Sequence, residues 1–269
     1  MIKQISCIGC GWLGLDLAKH CIANGFTVKG STTSREKLKI LSTHGISPFL
    51  IQLNETKITG NISDFLTDSE TVIINIPPGL KKNPNKNHVE ELRHVVEAIE
   101  ASEVKNVLYI SSTSVFKEDY NFTKITEHQK PNATSNSGKQ LIAIENMLLK
   151  NSSFNTTVLR FGGLFGGDRH PAKYLSGRSN LKNPDAPINL IHKTDSIGII
   201  LNILENNIWN VSFNAVFPKH STKKNYYTNY CKAHQLPLPI FNTSGISKGK
   251  LIDSSKLMQC LNYTFKETP

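Results

Sequence analysis

The run from Ile5 to Ala23 constrains this chain most. Ile5-Ser6-Cys7-Ile8 reads as a core strand, Gly9-Cys10-Gly11-Trp12-Leu13-Gly14 as a tight turn, and Leu15 to Ala23 as a helix with apolar periodicity. Gly9 permits the turn, Gly11 carries no side chain to hold a pyrophosphate off the backbone, and Gly14 lets the helix approach closely. Phosphates would lie on the free amides at the positive end of that helix. Gly9, Gly11, Trp12, Leu13 and Gly14 are therefore the first candidate ligand residues. A second strand at Phe26–Lys29 supplies the context a dinucleotide turn requires.

Where NAD sites place a carboxylate on the ribose, roughly 20 residues past the glycines, this chain has Gly30 or Ser31. Ser31, Thr32, Thr33 and Arg35 offer hydroxyls and a cation instead, which suit a 2′-phosphate and favour NADP over NAD; the hydroxyls also suit a helix N-cap. A helix from Arg35 to His44 follows. Strands are expected at Pro48–Leu53, Thr71–Ile76, Asn106–Ile110 and Thr157–Arg160, with a helix bearing Val89, Leu92, Val95, Val96 and Ile99 on one face. Alternating strands and helices imply an α/β fold, a Rossmann-type doubly wound parallel sheet. Ligands bind beyond the carboxyl ends of such strands, which places Ile76, Pro77 and Pro78 beside the cofactor.

Composition narrows the partners. A net charge of +10 is spread along the 269 residues without a nucleic-acid-binding motif, so a solvated surface and an anionic cofactor explain it. No apolar run reaches membrane-spanning length and no cleavable leader is visible, so a cytoplasmic protein is expected. Five cysteines, an odd number, fit reduced thiols. Cys7 and Cys10 form a CxxC, but no second pair stands at metal-ligand spacing, and no metal site is expected.

Beyond the fifth strand come Ser111-Ser112-Thr113-Ser114-Val115, Asn136-Ser137-Gly138-Lys139, Leu159-Arg160-Phe161-Gly162-Gly163-Leu164, Arg169-His170-Pro171, Asn189-Leu190-Ile191-His192 and Gly249-Lys250-Leu251-Ile252-Asp253. With the glycine turn, these resemble the extended short-chain dehydrogenase/reductase superfamily, and more closely its atypical YeeZ-like branch of nucleoside-diphosphate-sugar epimerases. The resemblance implies a Rossmann domain over 1–160 and a small substrate lobe over 161–269, with about 188–217 returning to the sheet. It also implies a nucleotide-sugar-like substrate and a homodimer through the helices after His88 and Ser137.

The family's chemistry uses a Ser or Thr after the fifth strand and a Tyr-x-x-x-Lys pair, in which the lysine cation favours the phenolate. Ser112 matches the first position, with Ser114 on the substrate side. The pair does not match: Ser137 stands in the tyrosine slot and Leu141 in the lysine slot. Tyr120-Asn121-Phe122-Thr123-Lys124 has the spacing but lies in a loop ahead of the helix. Ser137, Lys139 and His170 remain as candidate acid/base groups, and Arg169 as a ligand for a diphosphate or carboxylate. Two functions follow as expectations, an NADP-dependent epimerase or oxidoreductase with a non-standard site, or an inactive cofactor-binding sensor. The stretch from Tyr226 to Tyr263 is expected to build the lobe, with Asp195 charge-complementing or capping a helix over 196–206.

Overall fold

In the computed structural model, residues 3–269 are described. The strands of the main sheet are β1 (Gln4–Ile8), β2 (Thr27–Thr32), β3 (Ser47–Leu50), β4 (Thr71–Ile74), β5 (Asn106–Ser112), β6 (Asn155–Phe161) and β7 (Val211–Ala215). The principal helices are α1 (Gly14–Ala23), α2 (Arg35–Thr43), α3 (His88–Glu100), α4 (Asn136–Leu149), α5 (Lys193–Glu205) and α6 (Lys223–Ala233). The strand order is β7-β6-β5-β4-β1-β2-β3 in a parallel sheet. Ile5 pairs with Val28 on one side and Thr71 on the other, and Thr71 with Asn106.

The chain winds outward from β1 in both directions, so the order reverses beside β1, where a doubly wound sheet opens its binding crevice. All four residues of β4, and all of β1 past Gln4, are buried, as strands covered on both faces must be. On α1 the buried residues are Gly14, Leu17, Ala18 and Cys21, one helical stripe. On α3 they include Leu92, Val95, Val96 and Ile99 of the face the periodicity predicts, while Val89 of that face is half-buried.

The expected strand over Pro48–Leu53 is cut in two. Ser47–Leu50 pairs with β2, while Gln52–Leu53 turns away to pair antiparallel with Ile58–Thr59. Between them Ile51 is buried and donates its amide to Thr32 O, 3.0 Å away. Pro48 is tolerated because β3 is the sheet's outer strand.

The chain divides into two compact units. The first holds the described residues up to Val115, with Ala133–Leu159 and Ile200–Ser212; the second holds Phe116–Asn132, Arg160–Ile199 and Phe213–Pro269. In the second unit Gly163–Phe165 pairs in parallel with Leu190–His192, and Lys124–Ile125 with Leu251–Ile252. Within 188–217, the segment that joins the main sheet is Val211–Ala215. Asn189 ties the second unit together: its Nδ2 donates to Lys250 O at 2.8 Å and its Oδ1 accepts from Ile252 N at 2.9 Å.

Helix α5 starts at Lys193, so Asp195 lies within its first turn. Its carboxylate caps nothing on that helix in the hydrogen bonds it makes to the chain end: it accepts from Tyr263 Oη (3.0 Å), Lys266 N (2.8 Å) and Glu267 N (3.1 Å). No helix among the described residues is long and apolar enough to cross a membrane.

Candidate functional site

The glycine turn is held from three sides. Gly9 has φ +98°, and a Cβ there would lie 2.6 Å from Asn75 O, so both conformation and space demand glycine. Gly9 N donates to Ser31 Oγ at 3.0 Å, Cys10 N to Ser31 O at 2.9 Å, and Gly11 N to Gly9 O at 2.9 Å. Asn75 Nδ2 donates to Gly9 O at 3.1 Å. Gly14 is needed because a Cβ would strike that same Gly9 carbonyl and sit 2.9 Å from Asn75 Nδ2. The close approach is to the turn and to Asn75, a residue the sequence patterns did not single out.

Gly11 differs from these. A Cβ there meets nothing within 4 Å, and the residue is exposed. Trp12 is half-buried and Leu13 buried. The turn is therefore rigid on its protein side and open at one position. Beneath it Cys7 and Cys10 are both buried, and the Cys10 side chain, followed by burial, holds the Cys7 thiol well above its ordinary range. A thiol kept protonated in the core is a packing group, not a nucleophile.

Strand β2 itself excludes a carboxylate at residue 30. A Cβ on Gly30 would lie 2.7 Å from Cys10 Sγ and 2.7 Å from Ile46 Cγ2, so no acidic side chain fits. Ser31 is buried with its hydroxyl accepting from Gly9, which makes it a buttress of the turn. Thr32, also buried, accepts from Ser34 N at 3.2 Å. Thr33 and Arg35 face solvent, and Arg35 has no ion-pair partner among the described residues. Of the four residues proposed for a 2′-phosphate, these two are the ones left available.

The loop over Ile76, Pro77 and Pro78 is pinned from behind. A Cβ on Gly9 would come within 3.2 Å of Ile76 Cγ1. Downstream, Gln140 of α4 accepts from His88 N at 2.7 Å and donates to Lys86 O at 3.0 Å. Glu91 accepts from His88 Nδ1 at 2.8 Å and pairs with Lys86 Nζ at 2.7 Å. Burial lowers the His88 pKa despite Glu91, so at neutral pH this imidazole is uncharged and donates through Nδ1.

Ser112 ends β5 half-buried, and its Oγ accepts from Ser114 N at 3.1 Å. Its neighbour Ser111 is buried and donates to Glu145 Oε1 of α4 at 2.6 Å, which fixes helix to strand. The start of α4 rests on the same turn. Ser135 caps it by accepting from Gly138 N at 3.2 Å, and a Cβ on Gly138 would strike Ala133 Cβ and lie 2.7 Å from Ser114 O. Ser137 sits half-buried in that first turn. Lys139 is exposed and, two residues on, lies about 200° around the helix from Ser137. Leu141 is buried in the core.

The first unit has a single tyrosine, Tyr109, fully buried, with burial and then Glu145 raising its pKa. No phenol in this unit is disposed to ionise. The Tyr120…Lys124 match is not a pair either: Tyr120 lies under Lys248 Nζ, 4.6 Å from the ring centroid, while Lys124 Nζ bonds Asp253 at 2.8 Å.

In the second unit Arg169 is exposed and His170 is buried. His170 Nδ1 accepts from Ala172 N at 3.2 Å, capping the short helix Pro171–Leu175, and Nε2 meets Tyr226 Oη at 2.9 Å. Tyr230 stacks on the ring at 3.6 Å. Burial, then His234 and Lys173, lower its pKa to about 4, so it stays neutral near pH 7. Both ring nitrogens are engaged.

The likenesses to known proteins agree with this geometry. A family described as NAD(P)H-binding matches residues 9–189. Protein YeeZ of Escherichia coli (strain K12) is 27% identical over 269 residues, covering 98% of this chain and 96% of that protein. UDP-glucose 4-epimerase from Thermotoga maritima, solved with UDP-glucose, superposes with TM-score 0.80 at 15% identity, over 98% of this chain and 94% of its own. A short-chain dehydrogenase/reductase superfamily protein from Agrobacterium tumefaciens, solved with bound NAD, gives TM-score 0.77 at 15% identity, over 98% and 93%. The family match spans more than half of the chain and includes the glycine turn, the loop after β4 and the Ser112 turn, so this chain belongs to the NAD(P)H-binding family.

Proposed function

We propose that the protein binds NADP(H) on its first unit and acts as an epimerase- or dehydratase-type oxidoreductase on a nucleotide-sugar-like substrate, without the usual Tyr-x-x-x-Lys pair. The observation that carries this is the contrast within the glycine turn. Protein atoms fill the Cβ positions of Gly9, Gly14 and Gly30, while that of Gly11 is open. An open position is what a pyrophosphate resting on main-chain amides needs.

Gly9, Gly11, Trp12, Leu13 and Gly14 would hold the diphosphate, Ile76, Pro77 and Pro78 would flank it, and Thr33 and Arg35 would take the 2′-phosphate. When bound, the dinucleotide supplies a hydride donor or acceptor. Ser112 accepts one hydrogen bond from the backbone and keeps its own proton to orient a substrate oxygen. Ser137 is too weak an acid to replace a tyrosine alone. Structural likeness to a UDP-glucose 4-epimerase supports the substrate class. A homodimer through the exposed faces of α3 and α4, and a cytoplasmic location, belong to the same proposal.

Calorimetric titration with NADPH and NADH tests it. Arg35→Ala is expected to weaken NADPH about tenfold and NADH by less than about twofold, since one charge-assisted contact is lost. Equal losses would defeat the preference for NADP. Ser112→Ala is expected to abolish nicotinamide turnover with UDP-glucose and related sugars while NADPH affinity stays unchanged. A wild-type protein that binds NADPH but never turns it over would favour the sensor reading, to which buried Leu141 in the lysine slot already points.

A further inference from the structure

The cations of this chain are spread along it, but the carboxylates are not. The first unit holds 14 Lys and Arg against 13 Asp and Glu, a net charge of +1, whereas the second holds 17 against 8, a net charge of +9. Folding therefore gathers almost all of the +10 into the second unit. No Asp or Glu occurs from Arg169 to Pro184 or from Phe213 to Ile252. Of the acids that unit does have, Asp195 is buried under the chain end and Asp253 is paired with Lys124.

Parts of the two acid-free stretches run side by side as a ribbon. Gly177 N donates to Pro237 O at 3.0 Å, Ile240 N to Arg178 O at 2.9 Å, and Asn242 N to Leu181 O at 2.9 Å. Farther on, Lys248 N donates to Asn183 Oδ1 at 3.1 Å, and Ser247 Oγ to Asp185 Oδ2 at 3.1 Å. Along this ribbon the usual alternation of polar outside and apolar inside is inverted. Pro239 is buried and Phe241 packs on the second unit's core, while Leu238 and Ile240, which point the other way in an extended chain, are 45% and 62% exposed. Ile246, at 81%, is more exposed still. Arg178, Lys182 and Lys248 stand exposed among them, and none has an ion-pair partner among the described residues.

A partner for this ribbon must be anionic and must also take aliphatic side chains. Nucleic acid is met by cations and stacked aromatic rings, and would leave Leu238, Ile240 and Ile246 in water. An acidic peptide meets the charge but seats its own anchors in a groove, whereas here the protein's aliphatic groups are the ones that protrude. The headgroup layer of an anionic membrane accepts both kinds of group at once, cations at the phosphates and aliphatic tips at the acyl boundary.

We infer that the ribbon formed by 177–183 and 237–248 docks the second unit on the surface of an anionic membrane. The protein lies on the bilayer, and none of the described helices crosses it. Neither nucleotide site takes part.

The test is sedimentation of the full-length protein with vesicles of phosphatidylcholine alone or with about 30% phosphatidylglycerol. Anionic vesicles are expected to bind at least about tenfold more tightly than neutral ones, and a rise in salt from about 0.1 M to about 0.5 M to release most of the protein. Arg178→Gln with Lys182→Gln is expected to weaken vesicle binding about thirtyfold, about fivefold for each cation near the leaflet. Ile246→Ser is expected to weaken it about fivefold by losing apolar contact, and its exposure leaves the fold intact. Lys37→Gln with Lys39→Gln removes the same charge from exposed positions on α2 of the first unit and should leave binding within about twofold of wild type. NADPH affinity should stay within about twofold in every variant, which separates docking from the cofactor site. Equal binding to neutral and anionic vesicles, equal losses from the two pairs of cations, or binding of a single-stranded oligonucleotide or an acidic peptide in place of vesicles would each overturn the docking.

Discussion

Gly11→Val is expected to weaken NADPH binding by ~100-fold or more while leaving Tm within about 3 °C of wild type. The two effects separate because a Cβ at this position meets no atom within 4 Å outside its chain neighbours, so the fold has room for the side chain, whereas an anion resting on the amides at the head of α1 would be displaced by it. Gly9→Ala provides the contrast. Its φ of +98° and the 2.6 Å approach to Asn75 O make any side chain a fault in the fold itself, costing on the order of 3 kcal/mol. Calorimetry with NADPH and thermal melts on both variants check this. If Gly11→Val bound NADPH as wild type does, the cofactor site would lie elsewhere.

The second large effect is expected at Asp195→Ala. Asp195 is fully buried, and its carboxylate takes the Tyr263 hydroxyl and the amides of Lys266 and Glu267. Burial, then the Asp195 charge, raise the Tyr263 pKa, so the phenol stays protonated and keeps donating. One turn on, Gly198 makes room: a Cβ there would lie 2.6 Å from Tyr263 Oη. Removing the carboxylate strands three donors at once, which is expected to cost about 3 kcal/mol, or roughly 6–12 °C in Tm. Tyr263→Phe removes one donor and should cost about 1 kcal/mol. Denaturant melts would decide the matter, and equal losses for the two variants would show that the amide contacts contribute nothing.

What was legible in the sequence was local. The order strand, glycine turn, helix follows from neighbours along the chain, and so do the α/β class and the helix face built from Leu92, Val95, Val96 and Ile99. What escaped it depends on partners far away in sequence. Asn75 meets Gly9 across 66 residues, Ser111 meets Glu145 across 34, and His88 meets Gln140 across 52. Periodicity carries no trace of such pairs. Asp195 shows the competition directly: its place at a helix start suggests a cap or a charge complement, and it does lie in the first turn, but in place of a cap its carboxylate takes buried donors from the chain end, 68 to 72 residues on. Ser31 repeats the lesson. Its hydroxyl type suggested a phosphate ligand, and its burial beneath Gly9 gives it to the turn.

The thiol packed against Gly30 has a consequence for anyone redesigning cofactor choice. One route to an NAD enzyme, placing an aspartate at residue 30 within the second strand, is closed here as a single step, because the sulfur of Cys10 and a methyl of Ile46 already occupy that volume. Conversion would have to begin by emptying the pocket, for instance with Cys10→Gly, and only then introduce the acid. A lineage drifting between the two dinucleotides would face the same order of events, so a change at residue 10 should precede any at residue 30.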